Sequence, residues 1–230
     1  YSQTESVTGR LTVLSGPNIL TVKKEYRGIL KSKFDKGKIL EVDFVSLEPR
    51  VALAVAGRGY NGDVYENIRD VVLKGEVTRD QAKIITLAAL YGMSSRNLAS
   101  RLPDSVNARN VLSEVKSFFE IPVLKMSIKN QVREKGYFEN FYGRKIKDSK
   151  ACVNHYIQST GVDISLIGFL NLIKSCISSG VEVSPLFVVH DALILDIREK
   201  DIKEFEKIVS SGIELPGIKN NFPAKISIIR

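Results

Sequence analysis

The chain has 230 residues, 43% of them hydrophobic and 26% charged, an ordinary globular composition with enough apolar material to bury a core as one or two domains. Lysine and arginine outnumber the acids 34 to 26, and the resulting formal charge of +8 favours a polyanionic partner. Two cysteines, Cys152 and Cys176, make neither a disulfide framework nor a metal-ligand cluster, and there is no signal peptide and no apolar run near eighteen residues, so neither secretion nor membrane insertion is indicated and a reducing, cytoplasmic setting is expected.

Residues 1–22 are rich in Ser, Thr and Gly without a sustained period, and read as an extended segment with turns at Gly9 and at Gly16-Pro17. From Lys23 to Lys38 seven cations (Lys23, Lys24, Arg27, Lys31, Lys33, Lys36, Lys38) stand against Glu25 and Asp35, a density that suits phosphate contacts and equally suits a solvated loop. Lys38 to Phe44 has the β-branched and apolar content of a strand, and Asp43 falls near its end, just before a helix-like run from Leu47 to Ala56. An acid there is either a helix cap or a ligand placed at a strand's end. Pro49 is compatible with a helix's first turn, where its missing N–H breaks no internal bond. A turn-rich loop at residues 57–63 leads to helical character from Val64 to Leu73.

Thr78 to Gly92 is the clearest helix. Thr78 with Gln81 forms a capping box, and Gly92 supplies the stop. Arg79, Lys83, Leu87 and Tyr91 recur every four residues, and because each such step drifts only about 40° the four share one slowly turning stripe. The bland account is a solvated basic face; the chemical account is two cations, one turn apart, that can meet successive phosphates. Ser94 to Leu102, Ala108 to Phe119 and Ile121 to Arg133 complete a helical block, followed by a hairpin candidate at Gly136 to Arg144 with Arg144, Lys145, Lys147 and Lys150 around it.

Val153 to Ser178 reads as a long, largely apolar helix with Asn154 and Gln158 in its first turns. Pro185 to Ile197 holds two apolar strand-like runs divided by His190-Asp191, a hairpin with an acid at its tip, and an acid between two buried strands needs a reason. His190 reads more readily as a packing residue of that hairpin than as a nucleic-acid contact. A helix near Asp201 to Val209 and a strand near Ala224 to Ile229 end the chain.

In this order, Thr8-Gly9-Arg10, Asp43-Phe-Val-Ser-Leu-Glu48-Pro-Arg50, Arg79-x3-Lys83-x7-Tyr91-Gly92, Gly136-Tyr-Phe-Glu-Asn-Phe-Tyr-Gly-Arg144, Asn154-x3-Gln158 and Val189-His190-Asp191 resemble the motifs of the DNA polymerase I family (family A). The resemblance implies an α+β, right-hand polymerase fold: an antiparallel palm sheet covered by helices (1–45 and 151–230) with an inserted helical fingers subdomain (46–150). It implies that Asp43 and Asp191 hold two Mg2+ ions, that Arg79, Lys83, Leu87, Tyr91 and Glu48 bind the incoming dNTP, and that Lys83 protonates the pyrophosphate. Glu48 would exclude a 2′-hydroxyl. Arg10, Arg144, Asn154, Gln158 and His190 would contact a DNA primer-template, the two amides testing minor-groove acceptors that every base pair offers.

Departures from the family pattern include Phe44, Val45, Ser46, Pro49, Tyr65 where the pattern has His, Leu87 where it has Phe or Tyr, Ser159, Gly161 and Ala192. The resemblance starts at the Thr-Gly-Arg segment, so a thumb supplied by a second polypeptide is expected, with a viral enzyme acting inside its host cell as one setting. Two other readings stand beside DNA synthesis: a non-catalytic nucleic-acid-binding or assembly subunit that kept the fold, and a single-subunit RNA polymerase-like enzyme, against which Glu48 argues.

Overall fold

The computed structural model describes residues 1–150, 152–213, 215–218 and 222–229; the side chain of Lys24, one of the seven clustered cations, lies outside the described residues. In chain order the elements are β1 (Gly37–Phe44), α1 (Leu47–Val55), α2 (Val64–Asn67), α3 (Arg79–Leu90), α4 (Ser95–Ala99), α5 (Ala108–Phe118), α6 (Ile121–Lys135), β2 (Phe138–Glu139), β3 (Lys145–Ile146), α7 (Val153–Ser178), β4 (Val183–Val189), β5 (Ala192–Arg198), α8 (Ile202–Ser210) and β6 (Ala224–Ile228). The chain forms two compact units, residues 1–47 with 161–230 and residues 48–160. The expected α+β class is observed.

The first unit is built on an antiparallel sheet in the order β4-β5-β1-β6. β1 is central and buried on both faces, which is why Ile39, Leu40, Val42 and Phe44 read as a nearly continuous apolar run. Side chains alternate across a strand, so Leu40, Val42 and Phe44 point one way and Ile39, Glu41 and Asp43 the other. On the Phe44 side lies α7, where Phe44 and Phe169 rings sit 5.3 Å apart. On the Asp43 side, Ile39, Ile194 and Val189 pack against Leu20 and Leu30 from the N-terminal segment. Two buried carboxylates on that side are satisfied by the same segment. Asp196 accepts from the Ser32 hydroxyl (2.7 Å) and the Lys33 N–H (2.8 Å), and Glu41 accepts from the Arg27 guanidinium at 2.6 Å. Arg27, counted among the cations suited to phosphate contacts or a solvated loop, is instead the partner of a buried acid, its side chain 14% exposed.

The second unit is helical. α5 buries Ala108, Val111, Leu112 and Val115, the i, i+3, i+4, i+7 set of a single stripe. α2 passes into a π-helical turn over Ile68–Val72, a change of pitch that periodicity does not announce. Cys176, a small core residue as expected, is fully buried, and burial pushes its thiol up to about 11. α7 corrects one expectation. It is 26 residues long with a stretch of mean hydropathy 1.4, long and apolar enough by composition to cross a bilayer, yet half of that stretch is buried inside the protein.

Candidate active site

β1 and β5 bring the backbones of the two predicted acids to adjacent strand ends. Asp43 is directly opposite Ala192, the residue after Asp191, and the Phe44 N–H reaches the Asp191 carbonyl at 3.4 Å. Both acids are partly exposed. Two non-glycine residues nearby are in the left-handed region, Ser46 at φ 53° three residues after Asp43 and His190 at φ 55° directly before Asp191, a conformation that costs roughly 1–3 kcal/mol and is concentrated at functional turns. His190 is exposed at the turn between β4 and β5, so the packing role anticipated for it is not what the fold gives. On the other flank of β1, Lys225 of β6 is directly opposite Asp43 and therefore on the same face of the sheet.

The predicted basic stripe lies on the outer face of α3. Ala82, Ile85, Thr86, Ala88 and Ala89 are buried, while Arg79 and Leu87 are partly exposed and Lys83 and Tyr91 exposed. Both halves of the capping box form, the Thr78 N–H donating to Gln81 Oε1 (2.8 Å) and the Gln81 N–H to Thr78 Oγ1 (3.2 Å). At the far end Gly92 takes φ 71° and the Met93 N–H returns to the Ala88 carbonyl, closing the helix. The Tyr91 hydroxyl donates to Glu48, joining two residues of separate motifs.

A chain of supports holds Arg79. Arg50, 3% exposed, donates to the carbonyls of Tyr60 and Gly62, both at 2.7 Å, and so fixes the turn-rich loop; burial lowers its guanidinium pKa from the usual value. At the end of that loop Asp63 caps α2, its Oδ1 accepting from the N–H groups of Tyr65 (2.9 Å) and Glu66 (3.1 Å), while its Oδ2 accepts from Arg79 Nε (3.1 Å) and Nη2 (2.6 Å). Desolvation pushes the Asp63 carboxyl up, but the hydrogen bonds from Arg79, Glu66 and Tyr65 and the Arg79 charge together hold it below the ordinary aspartate value.

Asn154 and Gln158 are partly exposed, four residues apart on α7, with Ile157, Ser159 and Thr160 buried beside them. Asn154 and Tyr91 both line a cavity of about 420 Å³ that also gathers Lys116, Lys125 and Lys150. Lys116 and Lys125 were missed from the sequence, because no local motif marks cations on α5 and α6 as converging. Arg144 is partly exposed on the β2–β3 hairpin, where Asn140 Oδ1 accepts from the Tyr142 and Arg144 N–H groups at 3.0 and 2.9 Å. The Asn140 amide donates to the Ser159 hydroxyl at 2.9 Å, so a departure from the family pattern in the helix finds its partner in the hairpin. Arg10 is exposed in the N-terminal segment.

The expectation that the cysteines take part in no metal-ligand group needs correction: ligand atoms of Asp148, Cys152 and His155 lie within 4.8 Å of one another. Asp148 already accepts from the Lys150 and Cys152 N–H groups, both at 2.9 Å, and meets His155 Nδ1 at 2.8 Å, contacts that secure the start of α7.

A sequence model of DNA polymerase family A matches residues 1–228. The chain belongs to that family. It is 25% identical to DNA polymerase I of Rhizobium leguminosarum over 98% of this chain and 26% of the relative, and 25% identical to the DNA polymerase of Bacillus phage SP01 over 96% of this chain and 29% of the relative. It thus spans between a quarter and a third of the length of these two relatives. Its fold matches the POL domain of Pol1 from M. smegmatis, solved in complex with DNA primer-template and dNTP, with a TM-score of 0.77 at 19% identity, over 99% of this chain and 46% of that one.

Proposed function

We propose that this chain supplies the catalytic palm and fingers of a template-directed DNA polymerase, which transfers a nucleotidyl group from a dNTP to a primer 3′-hydroxyl. The observation that supports the reading is the placement of the Asp43 and Asp191 backbones at the same end of the adjacent strands β1 and β5. Two partly exposed carboxylates on adjacent strand ends offer the hard oxygen donors that suit Mg2+, so the residues present fit a two-ion centre. When bound, such a pair supplies activation of the attacking hydroxyl and stabilisation of the leaving pyrophosphate.

On this reading residues 1–45 and 151–230 are the palm and 46–150 the fingers, bounds that differ from those of the two compact units chiefly in the first two turns of α7. Arg79 and Lys83 meet the triphosphate, and Lys83 gives a proton to the departing pyrophosphate. Leu87 lies on the same dNTP-binding face. Glu48, held by the Tyr91 hydroxyl, crowds a ribose 2′-hydroxyl and so selects deoxynucleotides. Asn154 and Gln158 test pairing geometry in the minor groove, Arg10 and His190 meet the primer-template backbone, and the lysine-lined cavity beside Tyr91 with Arg144 takes the template strand. A thumb supplied by a second polypeptide is part of the proposal, and the enzyme works inside the cell, a viral enzyme in its host being one case.

Lys225 opposite Asp43, and Ala192 beside Asp191, favour one second reading, a nucleic-acid-binding subunit without catalysis. Extension of a labelled DNA primer-template with Mg2+ at low salt decides between them, comparing dNTPs with rNTPs. Extension with dNTPs is expected, lost in Asp43→Asn and Asp191→Asn by about three decades or more, the scale of several kcal/mol of metal-borne transition-state stabilisation. DNA binding without extension, even after a thumb-bearing polypeptide is added, would give the answer to the subunit reading.

A further inference from the structure

We propose that Tyr65 is a positioning residue for the triphosphate, its ring face holding the two phosphate-binding cations of α3 in place before any nucleotide arrives. This rests on the reading of the α3 face as the triphosphate site. Tyr65 stands where the family pattern has His, and it is 6% exposed at the start of α2. The Arg79 guanidinium carbon lies 5.5 Å from the ring centroid and the Lys83 ammonium 5.9 Å, both within the range of a cation–π contact.

The arrangement answers an electrostatic problem. Arg79 and Lys83 are like charges at i and i+4, a pairing that destabilises a helix and drives the two side chains apart when no anion is present. Asp63 offsets one of them through its bond to Arg79. Among the described residues Lys83 has no carboxylate pair comparable to Arg79–Asp63, but the negative face of an aromatic ring attracts both cations at once. Asp63 also fixes the ring, since the Tyr65 N–H donates to its other oxygen at 2.9 Å. One carboxylate and one ring therefore order both cations. The Arg79 fork keeps donors free of the Asp63 bond, because Nε and Nη2 are the atoms engaged there. The gain is preorganisation: the rotamer freedom of two long side chains is spent in folding rather than in binding.

The test is calorimetric binding of inorganic tripolyphosphate to the full chain, together with the KM and kcat for dNTP in primer extension. Tyr65→Phe keeps the ring face and should bind as the wild type does. Tyr65→Leu should weaken tripolyphosphate about fivefold to tenfold, the scale of two partly exposed cation–π contacts, and should raise KM for dNTP by a similar factor with kcat within about twofold. In a Lys83→Gln background the same Tyr65→Leu change should cost about half as much on a logarithmic scale. Equal losses in both backgrounds would mean that Tyr65 acts by packing alone, and would overturn the proposal. Should Tyr65→Leu not fold, a trifluorophenylalanine at position 65 keeps the shape and removes the negative ring face; unchanged binding there would overturn it as well. If Lys83→Gln itself leaves tripolyphosphate binding intact, the triphosphate reading of the α3 face fails, a result distinct from failure of Tyr65 alone.

Discussion

The acid end of the sheet and the basic face of α3 are assembled in opposite ways. Asp43 and Asp191 come from strands far apart in sequence, and their meeting depends on the register that sets Asp43 against Ala192. A slip of one residue would send Asp43 to the α7 side of the sheet, so the placement belongs to the whole unit. Arg79, Lys83, Leu87 and Tyr91 need only helical periodicity and a cap, and the groups that steady Arg79 lie within one short stretch, from Arg50 to Tyr65. The first arrangement is a global property and the second a local one. They should therefore break under different insults.

The largest effect is expected at the support of β1. The Arg27–Glu41 pair is nearly buried, with side chains 14% and 8% exposed, and removal of Arg27 takes a counter-charge 2.6 Å away from a buried carboxylate. Arg27→Ala should cost about 3–5 kcal/mol in urea denaturation, with amide exchange rising along β1. Replacing both partners, as Arg27→Met with Glu41→Leu, should recover most of that loss, because well-packed apolar side chains often match a buried pair. A loss below about 1 kcal/mol in Arg27→Ala would show that the acid site does not lean on this pair, and would dissolve the contrast.

On the α3 side the expected effects are smaller and carry a pH signature. The Asp63 carboxyl titrates lower in the folded chain than in the unfolded one, so its contribution is complete above the ordinary aspartate value near 4 and is lost as pH falls through its depressed folded value. Asp148 behaves in the same direction: burial raises its carboxyl, but bonds from Cys152, Lys150 and His155 outweigh that. Asp63→Ala should cost about 1 kcal/mol at neutral pH, the usual worth of an N-cap. Asp63→Asn retains a capping side chain, so it should leave neutral stability nearly unchanged while flattening the acid limb of the stability curve. An acid limb unaltered in Asp63→Asn would place the titration elsewhere.

The same division explains what could be read from the sequence. Local grammar placed α3 and its capping box, the bounds of α7, and the hairpin with His190 and Asp191 at its tip, because caps, period and turn residues act over a few positions. It could not tell that Arg27 leaves the basic run to pair with Glu41, since that is decided by strand burial fourteen residues on. Nor could it show that Asn140 and Ser159 are partners, or that Lys116 and Lys125 line one cavity with Tyr91. His190 was misjudged for a related reason: an apolar neighbourhood in sequence suggests packing, whereas a left-handed turn residue points outward.

The smallest effect concerns the packing beneath Asp43, where two opposed terms nearly cancel. Gly168 lies within α7, and alanine there would gain about 1 kcal/mol of helix propensity. A methyl group at that position would sit 2.9 Å from the Phe44 ring, 3.0 Å from Ile213 and 3.6 Å from Leu215. Phe44 cannot swing away freely, because it is braced against Phe169 and is the strand residue next to Asp43. Overpacking of this kind costs about 1–3 kcal/mol, and with the ring edge and methyl groups giving way slightly the cost falls at the low end, so the net change in Gly168→Ala should be a loss of about 0.5 kcal/mol. Ile213→Val, added to Gly168→Ala, opens room on one side and should return part of the loss if the close approach is its cause. If Gly168→Ala is stabilising instead, the α7 side of β1 has slack, and the register that joins the two acids is held chiefly from the Arg27 side.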